Sequence, residues 1–570
     1  MMIKSLTKEI LKNRLFLALL LVMTFLSSFM FFFIRFSIDA NMAYLDSLAS
    51  LTDNQRNYYN ALTSNTSLSF TFLFSVPAVA ALAYAMFFFR FFTGAKKQIG
   101  VYKALGYKNI NLQAYFVAFT VLFSLVGLLA GMLAGYFGSS VHLNANAVSY
   151  GVGGLQKGIS ASGVLMGIGI PLAMFAVTAF LCCCKFYFTE NGALIYDRKL
   201  NPKGSKLLRI ADKCVAKLPV KNKAPLRIAL GRPLSVSLIT VASTVFTVML
   251  VLGFSLTQSS ETVYKTQSTG HNYLYESVFS STQTAELPRG GLRYLSFGGT
   301  LAFENYQIEQ TVFGMDFDPA VYDLRGVGGE ALDLPGDGSC YLSLGTAETY
   351  GIAKGERITF ALEAAELTLT VRDIAYNAKS KTVIVSRTYL AGVTELDTDS
   401  YNGVLSMTDV CADADKVTDN EARADMLARD KVSGATSAVL NHATGIAAGV
   451  ILIFLALFIT FQDSLKDMLI MENLGYRAKE IKRLLINVFF PVLIIAFCLT
   501  AFPAVMIARA VQRSLALSIG DYLPFSTNIL VVLAALVGIV AIYALVQWIF
   551  TLGVKRTIKK KGILEYTNSL

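Results

Sequence analysis

Long apolar runs recur along the chain, separated by shorter polar segments. Eight of them carry no Asp, Glu, Lys or Arg at their centres: 15–36, 68–92, 111–138, 162–184, 234–256, 441–461, 485–508 and 528–552. A helix needs about 20 apolar residues to cross a hydrocarbon core of roughly 30 Å. The pattern therefore predicts an α-helical polytopic membrane protein with eight transmembrane helices.

Segment 257–440 has a different pattern and is too long for an unstructured loop. Apolar residues alternate with polar or small ones over 358–362 and again over 367–371, and 382–390 indicates another strand. The stretch 414–440 has the pattern of a helix that leads into the sixth span. We therefore expect one α+β extracytoplasmic domain here.

The charge distribution orients these elements. The chain is 54% hydrophobic and 16% charged, with a mean hydropathy of +0.52, which is typical of a membrane protein. Lys and Arg cluster near the N-terminus, in 94–110, in the linker before the fifth span and in the last 17 residues. Eight spans place all four clusters on one side, which the positive-inside rule identifies as the cytoplasm, so both termini are cytoplasmic. Segment 257–440, with 26 acidic and 14 basic residues, lies on the other side.

An internal repeat divides the chain into two halves. The tripeptide LGY occurs at 105–107 and again at 474–476, and in each half it follows the second span and precedes two more. An even number of spans gives both halves the same orientation, so we expect two parallel four-helix repeats. The predicted organisation is a cytoplasmic amphipathic N-terminal helix (1–14), a first four-span module (15–187) with a coupling hinge (94–110), a basic cytoplasmic linker (188–233), a fifth span (234–256), the extracytoplasmic domain (257–440), spans six to eight (441–553) with a second hinge (463–483), and a basic cytoplasmic tail (554–570).

Each hinge has the pattern of a short amphipathic helix. In the first, the spacing puts Ile99, Tyr102 and Leu105 on one face, with Val101 as a further candidate member, and Gly106 is placed to end the helix in left-handed geometry. In the second, Met468, Met471 and Leu474 form the corresponding stripe. An interfacial re-entry loop explains one such segment equally well, but explains the repetition less well.

The first hinge carries a family resemblance. The segment QIGVYKALGYKNINLQAYF, which begins at Gln98, resembles the signature loop of FtsX/MacB/LolC-type ABC transporter permeases. The stretch LSLGTAETYGIAKGERITFALEAAELTLTVRDIAY, from Leu342, is similar to the extracytoplasmic domain of that family. The second hinge departs from the motif at Glu472 and Asn473, where a basic and a small residue are usual.

The resemblance implies a mechanotransmission permease of a bacterial cytoplasmic membrane. A separate ABC ATPase homodimer would bind ATP and Mg²⁺ and move the hinges, while peptides, lipids or lipoproteins are handled at the outer surface. A sensor kinase is a further partner found in the peptide-sensing branch, and membrane lipid surrounds the spans. The residues that would seat the ATPase are Ile99, Tyr102, Leu105, Gly106, Tyr107, Met468, Met471, Leu474, Gly475 and Tyr476.

Other chemistry is not indicated by the sequence. The chain has no G-x-x-x-x-G-K-[ST] loop, and its LSFGG at 295–299 lies in the predicted outer domain with no phosphate loop beside it. No catalytic constellation, metal-ligand spacing or nucleic-acid-binding patch stands out. We therefore expect a transport subunit that is not itself an enzyme and holds no cofactor. Two alternatives stay open: a repeat-built secondary transporter, although the span centres lack charge, and a membrane receptor that signals without transport.

Two further sets of residues have predicted structural roles. Small residues at four-residue spacing let membrane helices approach closely, and they recur at Gly127, Gly131, Gly135, Gly163, Gly167, Gly445 and Gly449. Cys340 and Cys411 are the only cysteines in segment 257–440. Both a disulfide between them and two unpaired core thiols are compatible with the sequence.

Overall fold

The computed structural model describes residues 2–187 except 151, 233–284, 291–432 except 364, 409, 410, 412 and 430, parts of 439–457, 489–519 and 522–560. These residues form two compact units. We call the first the helical unit; it comprises Met1–Val251, Asn441–Ala508 and Asn528–Leu570. We call the second the sheet unit; it comprises Leu252–Leu440 and Arg509–Thr527.

Helices are labelled in chain order throughout both units. They are α1 (Met2–Lys12), α2 (Arg14–Arg35), α3 (Asp39–Asp46), α4 (Asp53–Gly94), α5 (Lys96–Ala104), α6 (Asn109–Tyr150), α7 (Ala161–Tyr187), α8 (Pro233–Ser268), α9 (Leu344–Tyr350), α10 (Arg387–Val393), α11 (Phe489–Ile519) and α12 (Ile529–Lys560). Within the described residues, seven helices are long and apolar enough to cross a membrane: Phe16–Asp46, Ala61–Phe92, Asn109–Asn144, Ala161–Cys184, Val236–Ser268, Phe489–Leu517 and Ile529–Trp548. This agrees with a helical polytopic membrane protein. The expected sixth span lies partly outside the described residues, and the described part includes a shorter apolar helix at Gly445–Phe454.

Glycines lie where helices of the helical unit approach most closely. The glycines of α6 face α2, and a methyl group on Gly131 would lie 2.4 Å from the backbone oxygen of Phe25. Such a contact cannot be accommodated without moving a helix backbone. Gly127 and Gly135 also face α2, Gly167 faces the rings of Phe31 and Phe32, Gly163 faces Asp39, and Gly445 and Gly449 face Met249 and Phe246.

The N-terminal amphipathic helix packs on the same unit. In α1, Leu6 and Ile10 are fully buried in the core of the helical unit. The Thr7 hydroxyl lies 2.7 Å from the hydroxyl of Tyr115 on α6. The apolar face of α1 is therefore fixed against its own chain.

The sheet unit contains a nine-stranded sheet that closes on itself. Its strands are β1 (Tyr275–Gln283), β2 (Gly291–Phe303), β3 (Tyr306–Met315), β4 (Ser339–Ser343), β5 (Arg357–Ala361), β6 (Glu366–Ala375), β7 (Thr382–Ser386), β8 (Tyr401–Ser406) and β9 (Lys416–Asp419). The order is β3-β7-β4-β6-β5-β2-β8-β1-β9, and β3 also pairs with β2. Six strands therefore form a closed barrel, from which β8, β1 and β9 extend. The barrel interior is filled by apolar side chains such as Leu301, Phe360 and Val383.

The predicted strands of this unit occur where expected, with two corrections. The alternating segments form β5 and β6, and the segment from Thr382 begins with β7. The expectation of a strand over all of 382–390 is wrong, because Ser386 ends β7 and is also the N-cap of α10, whose Leu390 is buried in the barrel core. The expectation that 414–440 is helical throughout is wrong, because Lys416–Asp419 form β9, antiparallel to β1. Helix begins only at Asn420. The first residues of β1 pair with β8 on one side and with β9 on the other, and this long-range pairing overrides the local helical pattern of 416–419.

The two cysteines of this unit are not paired. Cys340 is fully buried in the barrel core, whereas Cys411 packs in a separate cluster with Phe279 and Tyr401. Both are free thiols. The disulfide that the sequence left open is therefore absent, and burial raises the pKa of the Cys340 thiol to about 12.

Candidate functional site

The first hinge is a separate short helix between two long apolar helices. α4 ends at Gly94, and Ala95 donates its N–H to Phe91 O at 2.8 Å while its own carbonyl accepts from Ile99 N at 2.9 Å. Ala95 therefore closes one helix and begins the next. No linker of any length separates α4 from α5.

The far end of the hinge is closed by Gly106. Its φ of +89° lies in the left-handed region, which disfavours any residue with a Cβ. Gly106 donates its N–H to Lys103 O at 3.1 Å, and Tyr107 donates to Tyr102 O at 3.1 Å. These two bonds form a Schellman motif, which fixes the exit direction of the chain. The rings of Tyr102 and Tyr107 meet edge to face, with centroids 5.9 Å apart.

The apolar residues of the hinge fall on two faces rather than one. Ile99 is 4% exposed and belongs to the core of the helical unit, against which Tyr102 also packs. Leu105 is 69% exposed and Val101 is 47% exposed. The expected single stripe of Ile99, Tyr102 and Leu105 is therefore wrong. Each three-residue step falls about 60° short of a full turn, so the face has rotated by about 120° at Leu105.

The hinge exposes four large apolar side chains and two of its four lysines. Val101, Leu105 and Tyr107 are accompanied by Ile110, which is 61% exposed at the start of α6. The segment 94–110 contains four lysines and no acidic residue. We call the surface formed by Val101, Leu105, Tyr107 and Ile110 the hinge patch. Ile110 lies inside the segment that resembles the family's signature loop, but it was not among the residues predicted to seat the ATPase.

The inward face of the hinge borders a cavity of about 30 Å³ lined in part by Phe92, Ile99, Lys103 and Phe116. Partial burial lowers the pKa of the Lys103 ammonium group. A cavity of this volume has room for about one water molecule. It leaves the anchoring of Ile99 intact and is too small for a substrate.

The second hinge lies outside the described residues. Met468, Met471, Leu474, Gly475 and Tyr476 all fall in the segment 458–488. Their positions remain a sequence prediction.

In the sheet unit, the end of α8 is fixed to the barrel by one asparagine. Asn377 donates from Nδ2 to Thr269 O at 2.8 Å and to Asp323 O at 2.7 Å. Gly270, with a φ of +75°, leaves the room this requires, because a Cβ there would lie 2.4 Å from Asn377 Nδ2. Gln267 on α8 adds a bond from Nε2 to Ala378 O at 2.8 Å. α8 therefore meets the barrel without a flexible connection.

Buried titratable groups surround this junction. Lys379 Nζ lies 2.5 Å from Glu276 Oε1, and Tyr294 donates its hydroxyl to the same oxygen at 2.9 Å. Burial acts to raise the pKa of Glu276, but the Lys379 ammonium outweighs it and leaves that pKa lowered. Burial lowers the pKa of His271 to about 4, and its Nε2 lies 2.8 Å from Asn377 O. The junction therefore contains one ion pair and one neutral histidine at neutral pH.

Two sequence features unrelated to the hinge can be compared with the described residues. No group of three or more His, Cys, Asp or Glu side chains is placed there to hold a metal ion. The LSFGG segment is an internal part of β2 and pairs with β3. It is therefore a strand and not a nucleotide-binding turn.

Comparison with protein families gives one match. Residues 69–190 match the family model described as FtsX-like permease C-terminal. The matched region contains the first hinge together with α6, α7 and most of the apolar part of α4. A comparison with curated proteins found no match.

Proposed function

We propose that this chain is the permease subunit of an ABC transporter, in which a separate ATPase dimer drives two four-span modules. The single observation that carries the proposal is the hinge patch, an exposed apolar surface inside the region that matches an FtsX-like permease family. The repetition of LGY at 474–476 supports a second site of the same kind. The ATP and Mg²⁺ required would be held by the partner.

The proposed topology follows from the basic residues. The positive-inside rule places the lysine-rich hinge in the cytoplasm, where an ATPase is present. Two spans later the chain is again cytoplasmic, and the fifth span then leads outward to segment 257–440. The sheet unit is therefore assigned to the outer surface of a bacterial cytoplasmic membrane.

The proposed docking divides the hinge residues into two roles. Leu105 and Val101 insert into an apolar groove of the ATPase, since both retain large exposed surfaces. Ile99 anchors the hinge to the spans, since almost none of its surface remains to be covered. The lysines of the hinge favour an acidic rim on the partner.

The proposed substrates are antimicrobial peptides, lipids or lipoproteins handled at the outer surface. The acidic sheet unit, with a net charge of −12 over 257–440, favours the cationic members of this group by electrostatic steering. The proposal involves no chemistry by this chain on the substrate. Its contribution is movement.

The test is purification of the tagged chain from its native membranes with mass spectrometry of what accompanies it. We expect an ABC ATPase at two copies per chain, and loss of that ATPase from the double variant Leu105→Asp/Leu474→Asp. Leu334→Asp, which changes an exposed leucine of the sheet unit, is the matched control and should retain it. ATPase retained by the double variant would contradict the docking assignment. A wild-type chain that is folded and carries no ATPase would favour a receptor or a secondary transporter.

A further inference from the structure

The segment that joins α11 to α12 is bound to three different parts of the sheet unit. We call residues 522–527 the strap. Its first residue contacts α9, its middle contacts α11, and its end contacts α8. All of these contacts lie within the sheet unit.

The contact with α9 is the most specific of the three. Tyr522 donates its hydroxyl to Glu348 Oε2 at 3.0 Å. At Gly345 an added Cβ would lie 2.7 Å from the Tyr522 Cβ, so only glycine permits this approach. Burial raises the pKa of Tyr522, which keeps its phenol protonated and able to donate.

The other two contacts hold the strap to helices. Gln512 on α11 is fully buried and donates from Nε2 to Pro524 O at 2.9 Å and to Leu523 O at 3.3 Å. Ser526 donates its N–H to the Oγ of the buried Ser255 on α8 at 2.9 Å. The backbone of the strap is therefore bonded to α11 as well as to α8.

α9 is in turn connected to two strands of the barrel, β4 and β3. It follows β4 without a linker, since Ser343 is both the last residue of β4 and the N-cap of α9. The Thr346 hydroxyl donates to Gln310 Oε1 on β3 at 2.9 Å and lies 2.9 Å from the Ser343 hydroxyl. Because β4 pairs with both β6 and β7, α9 is connected through β4 to two further strands of the barrel.

We propose that the strap is a mechanical link in which Tyr522 is a positioning residue that passes movement of α11 to α9 and thereby to the barrel. This inference rests on the proposed function, because it needs a motor that moves the spans. It adds a route into the sheet unit that does not follow the main chain through α8. No substrate contact is assigned to Tyr522.

The experiment uses the full chain in complex with its ATPase, with and without a non-hydrolysable ATP analogue. Hydrogen exchange is measured over β4 and α9, and ATPase affinity and thermal stability are measured in parallel. In the wild-type complex we expect the analogue to change exchange in this region. Tyr522→Phe, which keeps the ring and removes one bond to a carboxylate, should raise exchange of α9 about tenfold and reduce its response to the analogue.

Gly345→Ala supplies an independent perturbation of the same contact. Alanine favours helix over glycine, so α9 itself is not weakened, but the methyl group displaces Tyr522. Gly392→Ala is the matched control, because Gly392 lies in the similar short helix α10 with nothing within 4 Å. We expect Gly345→Ala to abolish the response to the analogue, with ATPase affinity unchanged, and Gly392→Ala to retain it.

The outcomes separate this inference from the proposed function. A full response of α9 in both Tyr522→Phe and Gly345→Ala, with the ATPase bound, would overturn the strap as a link and leave the permease assignment standing. No response of α9 in the wild-type complex would overturn it as well. A wild-type chain that binds no ATPase would overturn the proposed function and this inference with it.

Discussion

Truncation of Leu105 should weaken ATPase binding and leave stability unchanged, whereas truncation of Ile99 should do the opposite. Burying a leucine side chain completely contributes about 1.5–3 kcal/mol. Leu105 is 69% exposed, so a partner can cover about two-thirds of it. We therefore expect Leu105→Ala to weaken ATPase binding by about 1–2 kcal/mol, which is roughly a 5- to 30-fold increase in Kd. Its effect on the free energy of unfolding should stay within about 0.5 kcal/mol.

Ile99→Ala should show the reverse pattern. Ile99 is only 4% exposed, so its truncation leaves a cavity inside the helical unit and offers the partner almost nothing to lose. Such cavities destabilise a fold by about 2–5 kcal/mol. We expect a clear fall in the melting temperature, with the Kd of the fraction that remains folded nearly unchanged.

The assay measures ATPase binding to the permease in nanodiscs, with thermal unfolding recorded on the same samples. Leu334→Ala, which truncates a leucine that is 47% exposed on the sheet unit, is the control for non-specific effects on surface leucines. The division of roles between Leu105 and Ile99 is refuted if Leu105→Ala leaves the Kd within about twofold of wild type. It is also refuted if Ile99→Ala weakens binding as strongly as Leu105→Ala without loss of stability.

Three further outcomes are expected. Gly131→Val should destabilise the helical unit by several kcal/mol in thermal unfolding, since a Cβ there would lie 2.4 Å from a backbone oxygen of α2. Gly169→Ala is the control and should be neutral, because a Cβ at Gly169 would meet nothing within 4 Å. Between about pH 6.5 and 4 the unfolded chain binds a proton at His271 while the folded chain does not, so the free energy of unfolding of the sheet unit should fall by up to about 3 kcal/mol as pH falls. His271→Gln should reduce this pH dependence, measured by hydrogen exchange of β1. On intact cells a membrane-impermeant thiol reagent should label Ser281→Cys, which is exposed on the sheet unit, but label Lys97→Cys only after permeabilisation; the opposite pattern contradicts the proposed orientation.

Seven of the eight predicted spans occur as long apolar helices within the described residues, whereas their lengths were not predictable from hydropathy. Hydropathy locates the segments that lipid must surround, because burial of polar backbone in hydrocarbon leaves only a helix. α4 nevertheless begins at Asp53, well before the apolar run at 68. Thr52 and Gln55 form a capping box, with Thr52 N donating to Gln55 Oε1 at 2.9 Å. The T-x-x-Q pattern was present in the sequence, and it marks this start independently of hydropathy.

The closed barrel depended on contacts that no local pattern contains. The alternation in β5 and β6 identifies strands because each presents one face to a core. Closure instead depends on β3, which pairs with its neighbour β2 and also, in parallel, with β7 about 70 residues later. β9 shows the same limit, since its four residues become a strand only through β1. Pairing partners at such separations are selected by the whole fold.

The hinge combines what was predictable with what was not, and the difference bears on how it can carry force. The motif located the helix and its glycine end, but which apolar residues are buried and which are exposed depends on the roughly 60° by which each three-residue step falls short of a full turn. The resulting division has a mechanical consequence. Ile99 and the Schellman bonds at Gly106 fix α5 to the spans. The anchoring free energy, about 2–5 kcal/mol for Ile99 alone, exceeds the roughly 1–2 kcal/mol that Leu105 can gain from a partner. On the proposed docking, a pull applied by the ATPase at Leu105 would therefore reach the spans before it detached the hinge from them, which is the order that a coupling element requires. If these two environments were exchanged, with Leu105 buried and Ile99 exposed, the proposed partner would bind a part of α5 that is not packed against the spans.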